Sequence, residues 1–201
     1  MTARLRSVGL RARSSSERGQ SIVEMAMILP LLMVVVLGVI EVSYAVLDHH
    51  VITKLTREGS NLISRDATLL DASLALRNMS TGAVNFSSRS RMIFSIVKRV
   101  NTAGAANFGK DILYARYEYG ALAASSKLTT RGSGSFSGPP EYVATNSDND
   151  TSLQLTNFPP NLVTPGGMLY VTEIYSRHDL ITPFNQFGIV IPNILYSIAY
   201  F

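Results

Sequence analysis

The sequence predicts an α+β fold. We expect a long N-terminal transmembrane and amphipathic helix, then a small globular domain with a second helix and an antiparallel sheet of three to four strands. Three observations predict this order. A long apolar stretch lies near the N-terminus, apolar residues continue beyond it at helical spacing, and later runs rich in aromatic residues alternate as strands do. We therefore divide the chain into residues 1–19, a basic cytoplasmic leader, 20–65, the long helix, and 66–201, an extracytoplasmic domain.

The apolar stretch from Ile22 to Val42 predicts a single membrane span. It has 21 residues, and at about 1.5 Å of rise per residue a helix of this length crosses a hydrocarbon core of about 30 Å. Five arginines and one acid, Glu17, precede it, so the N-terminus is expected in the cytoplasm and the domain outside. We thus expect a single-pass membrane protein.

The charge of the chain is concentrated in the leader. The whole chain has 18 basic and 14 acidic residues, and without residues 1–19 there are 13 of each. The remainder is therefore neutral, which gives no basis for nucleic-acid binding. Cysteine is absent, which excludes disulfides and thiol chemistry.

The long helix is predicted to continue past the membrane as an amphipathic helix. Its apolar stripe comprises Tyr44, Leu47, Val51, Leu55, Leu62 and Ile63. Pro30 lacks an amide hydrogen, so a kink or local break is expected there, and Gly38 is a second flexible point. Residues 66–76 either continue this helix or begin another.

The domain elements follow from shorter patterns. Residues 87–100 place Met92, Ile93, Ile96, Val97 and Val100 on one helical face, which predicts the second helix. Three aromatic-rich runs, Ile112–Tyr119, Met168–Tyr175 and Ile194–Phe201, predict the strands. The glycines and prolines of residues 120–167 predict a long loop, functional or mobile, with a short strand at residues 152–155.

One acidic residue lies inside the apolar stretch. Glu24 is surrounded by isoleucine, valine and methionine, and a carboxylate in hydrocarbon is costly unless it is paired. We therefore expect Glu24 to have a function.

The N-terminal residues resemble the TadE-like family of pseudopilins, minor components of the Tad (Flp) type IV pilus system. Four segments carry the resemblance, and they are Arg18–Ala26, Leu29–Leu32, Leu37–Glu41 and Arg57–Gly59. Their order and spacing together form a fairly specific signature over about the first 60 residues.

The resemblance implies a function in pilus assembly and surface attachment, and a location in the bacterial inner (cytoplasmic) membrane. In such proteins a prepilin peptidase cleaves after the glycine, here between Gly19 and Gln20, so that Glu24 becomes the fifth residue of the mature chain. The carboxylate of Glu24 then pairs with the new amine of Gln20, in the same or a neighbouring subunit, and sets the axial register. The implied partners are the peptidase, other pseudopilins, pilus-assembly membrane proteins and the lipid bilayer.

Other positions of the signature have simpler interpretations. Glu41 lies at the end of the span, and an interfacial carboxylate facing water is the favoured interpretation. Arg57 and Glu58 fit a solvated helix face, whereas Gly59 fits close helix packing.

No motif indicates catalysis, a cofactor, a small-molecule substrate or a metal. His49 and His50 point about 100° apart on a helix, and the only other histidine is His178. Residues 148–150 begin like a calcium loop but lack its glycine and final glutamate. We therefore expect a protein that is not an enzyme.

Two alternatives remain open. A signal peptidase could cleave after Ser43-Tyr44-Ala45 and leave Val46 as the first residue. The chain could also be an uncleaved single-span anchor that begins at Met1 and carries an extracytoplasmic binding or adhesion module, with residues 120–167 as the contact loop. The first residue of the native protein distinguishes both from cleavage before Gln20.

Overall fold

A computed structural model of the chain describes residues 14–80, 82–182 and 193–201. Residues 1–13 of the expected leader lie outside the described residues. The element order is two helices and then four strands, with a long segment between the second and third strands, which confirms the α+β class. The chain divides into two compact units, Met1–Ser43 and Tyr44–Phe201. The second unit thus includes residues 44–64 of the first helix.

Helix α1 covers Ser14–Ser64 and contains Pro30. It is the one described helix that is long and apolar enough to span a membrane. Most apolar side chains of the span are exposed, Met27 for instance by 74%, as expected of a surface that contacts lipid. The helix is continuous through Pro30 and Gly38, so there is no break, and a bend at either residue stays a prediction.

A second helix, α2, covers Leu69–Met79. Asp66 separates it from α1 because it adopts a positive φ of 62°, and the N–H of Ala67 bonds to the carbonyl of Leu62 at 3.3 Å, as at many helix ends. Thr68 then caps α2, since its hydroxyl accepts the N–H of Asp71 at 3.1 Å. The residues after α1 therefore begin a new helix.

The four strands form one antiparallel sheet. They are β1 Ser90–Arg99, β2 Asp111–Gly120, β3 Met168–Arg177 and β4 Ile194–Tyr200, in the order β2-β1-β3-β4. The three predicted strands correspond to β2, β3 and β4 and are confirmed.

The helix predicted for residues 87–100 is wrong, because this segment contains β1, a central strand of the sheet. Met92 and Phe94 face the helices, while Ile93 and Val97 face the other way, and all four are buried. A strand covered on both sides has apolar residues without alternation. This pattern was mistaken for a helical face.

The two faces of the sheet are covered differently. On the helix face, α1 and α2 pack against β1 and β3 through a core that includes Ile52, Leu76 and Phe94. On the opposite face, residues 121–167 cover the sheet, and Leu128 and Val163 pack against Val97 and Val171. This segment is therefore a packed layer of the domain and not a free loop.

The short strand expected at residues 152–155 is instead a 3₁₀ helix, Thr151–Leu153. Single bridges follow it, from Gln154 to Ile112 and from Leu155 to Thr130. The side chain of Asp150 accepts the N–H of Ser152 at 2.9 Å, which starts the helical turn in place of an extended strand.

Candidate functional site

The expected processing segment lies in the first turns of α1. Gly19, Gln20 and Glu24 are helical and exposed. The side-chain amide of Gln20 donates a hydrogen bond of 2.9 Å to Oε1 of Glu24, because residues four apart lie on the same helix face. The carboxylate of Glu24 therefore lies one turn beyond the Gly19–Gln20 peptide bond.

Gly19 has no packing role among the described residues. A Cβ built at this position has no heavy atom within 4 Å. Any requirement for glycine here thus arises from something that acts on the chain, such as an enzyme that must approach the backbone closely.

Glu41, at the end of the apolar stretch, is not exposed to water as expected. Its side chain is only 1% exposed, so the favoured interpretation of a carboxylate facing water is wrong. Glu41 therefore takes part in an interaction within the protein and does not face water.

Gly59 lies where α1 closely approaches the sheet. A Cβ here would meet Thr172 Cγ2 at 2.9 Å, Phe94 Cε1 at 3.0 Å and Leu76 Cδ2 at 3.1 Å, so any side chain forces a neighbour to move. In the next position, Ser60 donates its hydroxyl to the carbonyl of Ala199 at 3.0 Å. Glycine at 59 thus lets α1 contact the sheet at close range.

The expected processing residues, Glu41 and Gly59 all lie in one segment that matches a known protein family. Residues 19–61 match the family model of TadE-like proteins. The N-terminal helix is a TadE-like segment. The match includes the expected processing residues, the membrane span and Gly59, and it confirms the resemblance over these positions. Comparisons with curated proteins and with solved structures gave no match.

The TadE-like match over residues 19–61 supports a Tad pilus-associated protein. With one apolar helix long enough for a membrane, it also supports a single-pass anchor. Arg57 is exposed and Glu58 is half-buried, so both lie at the solvated side of α1, whereas Gly59 is buried against the sheet.

Sequence reasoning missed a contact between the TadE-like segment and the end of β3. Nδ1 of His178 lies 2.7 Å from Oδ2 of Asp48, and the His178 side chain is only 4% exposed. The two residues are 130 positions apart. No local pattern links them, so only the tertiary structure reveals the pair.

A second missed feature is a buried polar cluster beneath residues 121–128. Glu173 is fully buried. Its carboxylate accepts the N–H of Lys127 at 2.8 Å and the hydroxyl of Tyr196 at 3.0 Å, and it also bonds to the hydroxyl of Ser126. Burial, followed by the charge of Glu173, raises the pKa of Tyr196. These bonds attach residues 121–167, the covering segment, to β3.

Arg116 completes this cluster. Its guanidinium donates to the hydroxyl of Ser126 at 3.1 Å and to the carbonyl of Leu128 at 3.0 Å. Burial lowers the pKa of Arg116, and the charges of Glu118 and Glu173 oppose that shift. The cluster therefore holds the half-buried guanidinium of Arg116 and the buried carboxyl group of Glu173 through hydrogen bonds to residues 126–128, which indicates a structural role.

Proposed function

We propose that the chain is a TadE-like minor pseudopilin that takes part in assembly of a Tad type IV pilus and in surface attachment. The observation that carries the proposal is the TadE-like match over residues 19–61 on a helix of membrane-spanning length. The N-terminus lies in the cytoplasm and the domain outside the inner membrane. Other pseudopilins and pilus-assembly membrane proteins are its partners.

A prepilin peptidase removes the leader between Gly19 and Gln20. The exposed backbone at Gly19, where no side chain crowds the position, supports this step. Hydrolysis of the Gly19–Gln20 bond creates an amine at Gln20. Glu24 then lies one helical turn from a positive charge that the uncleaved chain lacks.

The Gln20 amine and the Glu24 carboxylate together select the axial position at which a subunit docks. Removal of both charges from water offsets most of their attraction, so the pair adds little net stability. A docking position that leaves either charge buried without a partner is penalised strongly. The pair therefore sets axial register between subunits, or within one, more than it strengthens their association.

The first residue of the protein purified from its native membrane tests the proposal. We expect Gln20 from N-terminal sequencing. Met1 would support an uncleaved anchor with a binding module, and Val46 an ordinary signal peptide, and either result contradicts the proposal.

A Gly19→Phe variant tests the cleavage site itself. It should remain in the membrane fraction as a longer product on a gel, because the bulky side chain blocks the peptidase. Since a Cβ at 19 has open space, the substitution does not disturb the described fold. A product of normal length would exclude cleavage at this bond.

A further inference from the structure

A cavity of about 270 Å³ lies at the end of the sheet where β1 ends and β2 begins. Arg99, the last residue of β1, and Asp111, the first residue of β2, both line it. The covering segment supplies Arg131, Gln154 and Phe158. Cavities that enclose drug-sized ligands have volumes of about 300–1,000 Å³, so this one is of a size for a single small ring.

Positive charge predominates around the cavity. Arg99, Lys110 and Arg131 line it together with one acid, Asp111. Oδ2 of Asp111 lies 3.9 Å from Nη1 of Arg99, so the charges of these two residues offset each other. The side chains of Lys110 and Arg131 form no hydrogen bond or ion pair with any described residue. Two cations are therefore available to a ligand with a net negative charge.

Gln154 adds a hydrogen-bond acceptor to the wall of the cavity, although it is only 7% exposed. Nδ2 of Asn107 donates to the carbonyls of Ser147 and Asp150, both at 2.9 Å. Oδ1 of Asn107 is therefore the acceptor for Nε2 of Gln154 at 2.8 Å. This fixes the orientation of the Gln154 amide, and its Oε1 accepts no hydrogen bond from the part of the chain that the structure describes. An acceptor on a buried side chain requires a donor.

An apolar wall completes the cavity. Leu155 and Phe158 line it and are half-buried, because they also pack against the cluster that contains Val97 and Val163. An aromatic ring and aliphatic carbons offer dispersion contacts to the C–H groups of a ligand. The cavity thus combines cations, an acceptor and an apolar surface.

We propose that this cavity binds an acidic sugar unit, a ring that bears a carboxylate and hydroxyl groups. The carboxylate binds to Lys110 and Arg131. A hydroxyl group donates to Oε1 of Gln154, and the C–H groups of the ring contact Phe158.

Other small ligands match only part of the cavity. An inorganic anion has no apolar surface, and a neutral sugar has no charge. A zwitterionic amino acid has no net charge to complement two cations. The inference concerns the second unit alone and holds whether or not the leader is cleaved.

Sodium glucuronate is the probe, because its charge and hydroxyl groups keep it out of detergent micelles. We expect saturable binding to the full chain in detergent, measured by saturation-transfer difference NMR. Arg131→Ala and Lys110→Ala should each weaken binding about tenfold, because each removes a charge-assisted hydrogen bond. Arg65→Ala is the matched control, since Arg65 is exposed and does not line the cavity, and it should bind like the parent chain.

Thermal melting of each variant shows that the fold is retained, and either alanine variant suffices if the other is unfolded. Glucose, which has the same ring without the charge, should show no saturable binding. Absence of glucuronate binding by the parent chain, or unchanged binding by the folded alanine variants, would overturn the inference.

Two further results would also overturn it. Equal affinity for inorganic sulfate would indicate a site for an anion only, and tighter binding of a triglutamate peptide would assign the cavity to an acidic protein segment. None of these outcomes changes the expected first residue, Gln20, so this inference and the proposed function fail separately.

Discussion

At Gly59 the contact of α1 with the sheet is sensitive to the size of the side chain. We predict that Gly59→Val lowers the free energy of unfolding by about 1–3 kcal/mol, because the added carbons overlap Thr172 and Phe94 in a packed core. Urea unfolding of the full chain in detergent measures the effect. Gly138→Val is the matched control, since a Cβ there meets nothing within 4 Å. Equal stability of the two variants would contradict the close approach.

Glu173 and Glu118 lie on the same face of the sheet, where Glu173 is buried and Glu118 is partly exposed. Glu173→Leu leaves the N–H of Lys127 and the hydroxyls of Ser126 and Tyr196 without their acceptor and removes the charge that faces Arg116, and we expect a loss of about 3–5 kcal/mol. Glu118 pairs with Arg91 at 2.5 Å with its side chain 32% exposed. For Glu118→Leu we expect about 1 kcal/mol or less. Unfolding curves showing similar losses would mean that the Glu173 cluster is not structural.

Asp111 and Asp148 should affect pH dependence with opposite signs. Burial raises the pKa of Asp111, partly opposed by Arg99, so its ionisation disfavours the fold once the pH rises above its ordinary value of 3.8. The hydroxyl of Thr102 lowers the pKa of Asp148, with Lys98 assisting. Asp148 therefore stabilises the fold above pH 3.8, and this contribution is lost as pH falls through its lowered pKa.

The corresponding amide variants test these signs. We expect Asp111→Asn to raise the melting temperature at pH 7 and to have no effect below pH 3.8. Asp148→Asn should lower stability at pH 7 by about 1 kcal/mol, because a charge-assisted bond is lost, and the difference should disappear in acid. Melting curves between pH 3 and 7 measure both, and shifts of the same sign would show that one of the two environments is misassigned.

At the scale of elements, the sequence predicted the strands that are rich in tyrosine and failed for β1, which has none. β3 is buried on both faces from Val171 to Ser176, but polar residues interrupt its apolar pattern and its tyrosines still favour a strand. In β1, Met92, Ile93 and Phe94 are consecutive and all buried, so the period is lost. The β-branched residues Ile93, Ile96 and Val97 were the available signal for a strand.

The covering segment is an element that composition alone misrepresents. Its glycines, prolines and serines are typical of a loop, yet it holds its position through separate contacts with distant strands. These are the apolar packing of Leu128 and Val163, the bonds to Glu173 and the bridges to β2. Contacts between residues far apart in the sequence leave no local pattern, and the Asp48–His178 pair escaped prediction for the same reason.

This packing predicts resistance to proteolysis. Lys127 and Arg131 are anchored by backbone bonds of 2.8 Å to Glu173 and 3.0 Å to Gln154, so trypsin should not cleave after either residue until the domain unfolds. Leu128→Ala removes a buried anchor and should make both sites cleavable below the melting temperature of the parent chain. Mass spectrometry of the fragments measures this. Early cleavage of the parent chain would show that the segment is free.

At the scale of the whole molecule, the apolar helix of membrane-spanning length and the TadE-like signature could be predicted from the sequence because they depend on local features. The span length and the spacing from Gly19 to Glu24 are both read within one helix. The packing of the domain depends on tertiary contacts, which the sequence alone does not reveal. The burial of Glu41, inside the TadE-like segment, escaped prediction for the same reason. More of the first unit, Met1–Ser43, could therefore be predicted from the sequence than of the second, Tyr44–Phe201.

The separation into two units makes Glu24 a test of the proposed function that does not disturb the domain. Glu24 is exposed, and the side chain to which it bonds is that of Gln20 in the same helix face. We therefore predict that Glu24→Ala and Glu24→Val insert into the membrane, retain the melting temperature of the domain and are still cleaved after Gly19. Neither should be incorporated into the pilus machinery, because register selection by the carboxylate is lost.

Glu58→Ala is the matched control, a glutamate of the same helix at a half-buried, solvated position. Membrane fractionation, thermal melting and a piliation assay on the same strains separate the outcomes. Normal piliation by either Glu24 variant would remove the register function. Loss of membrane insertion would instead show that the carboxylate acts during folding of the anchor, since a defect at that stage precedes any contact between subunits.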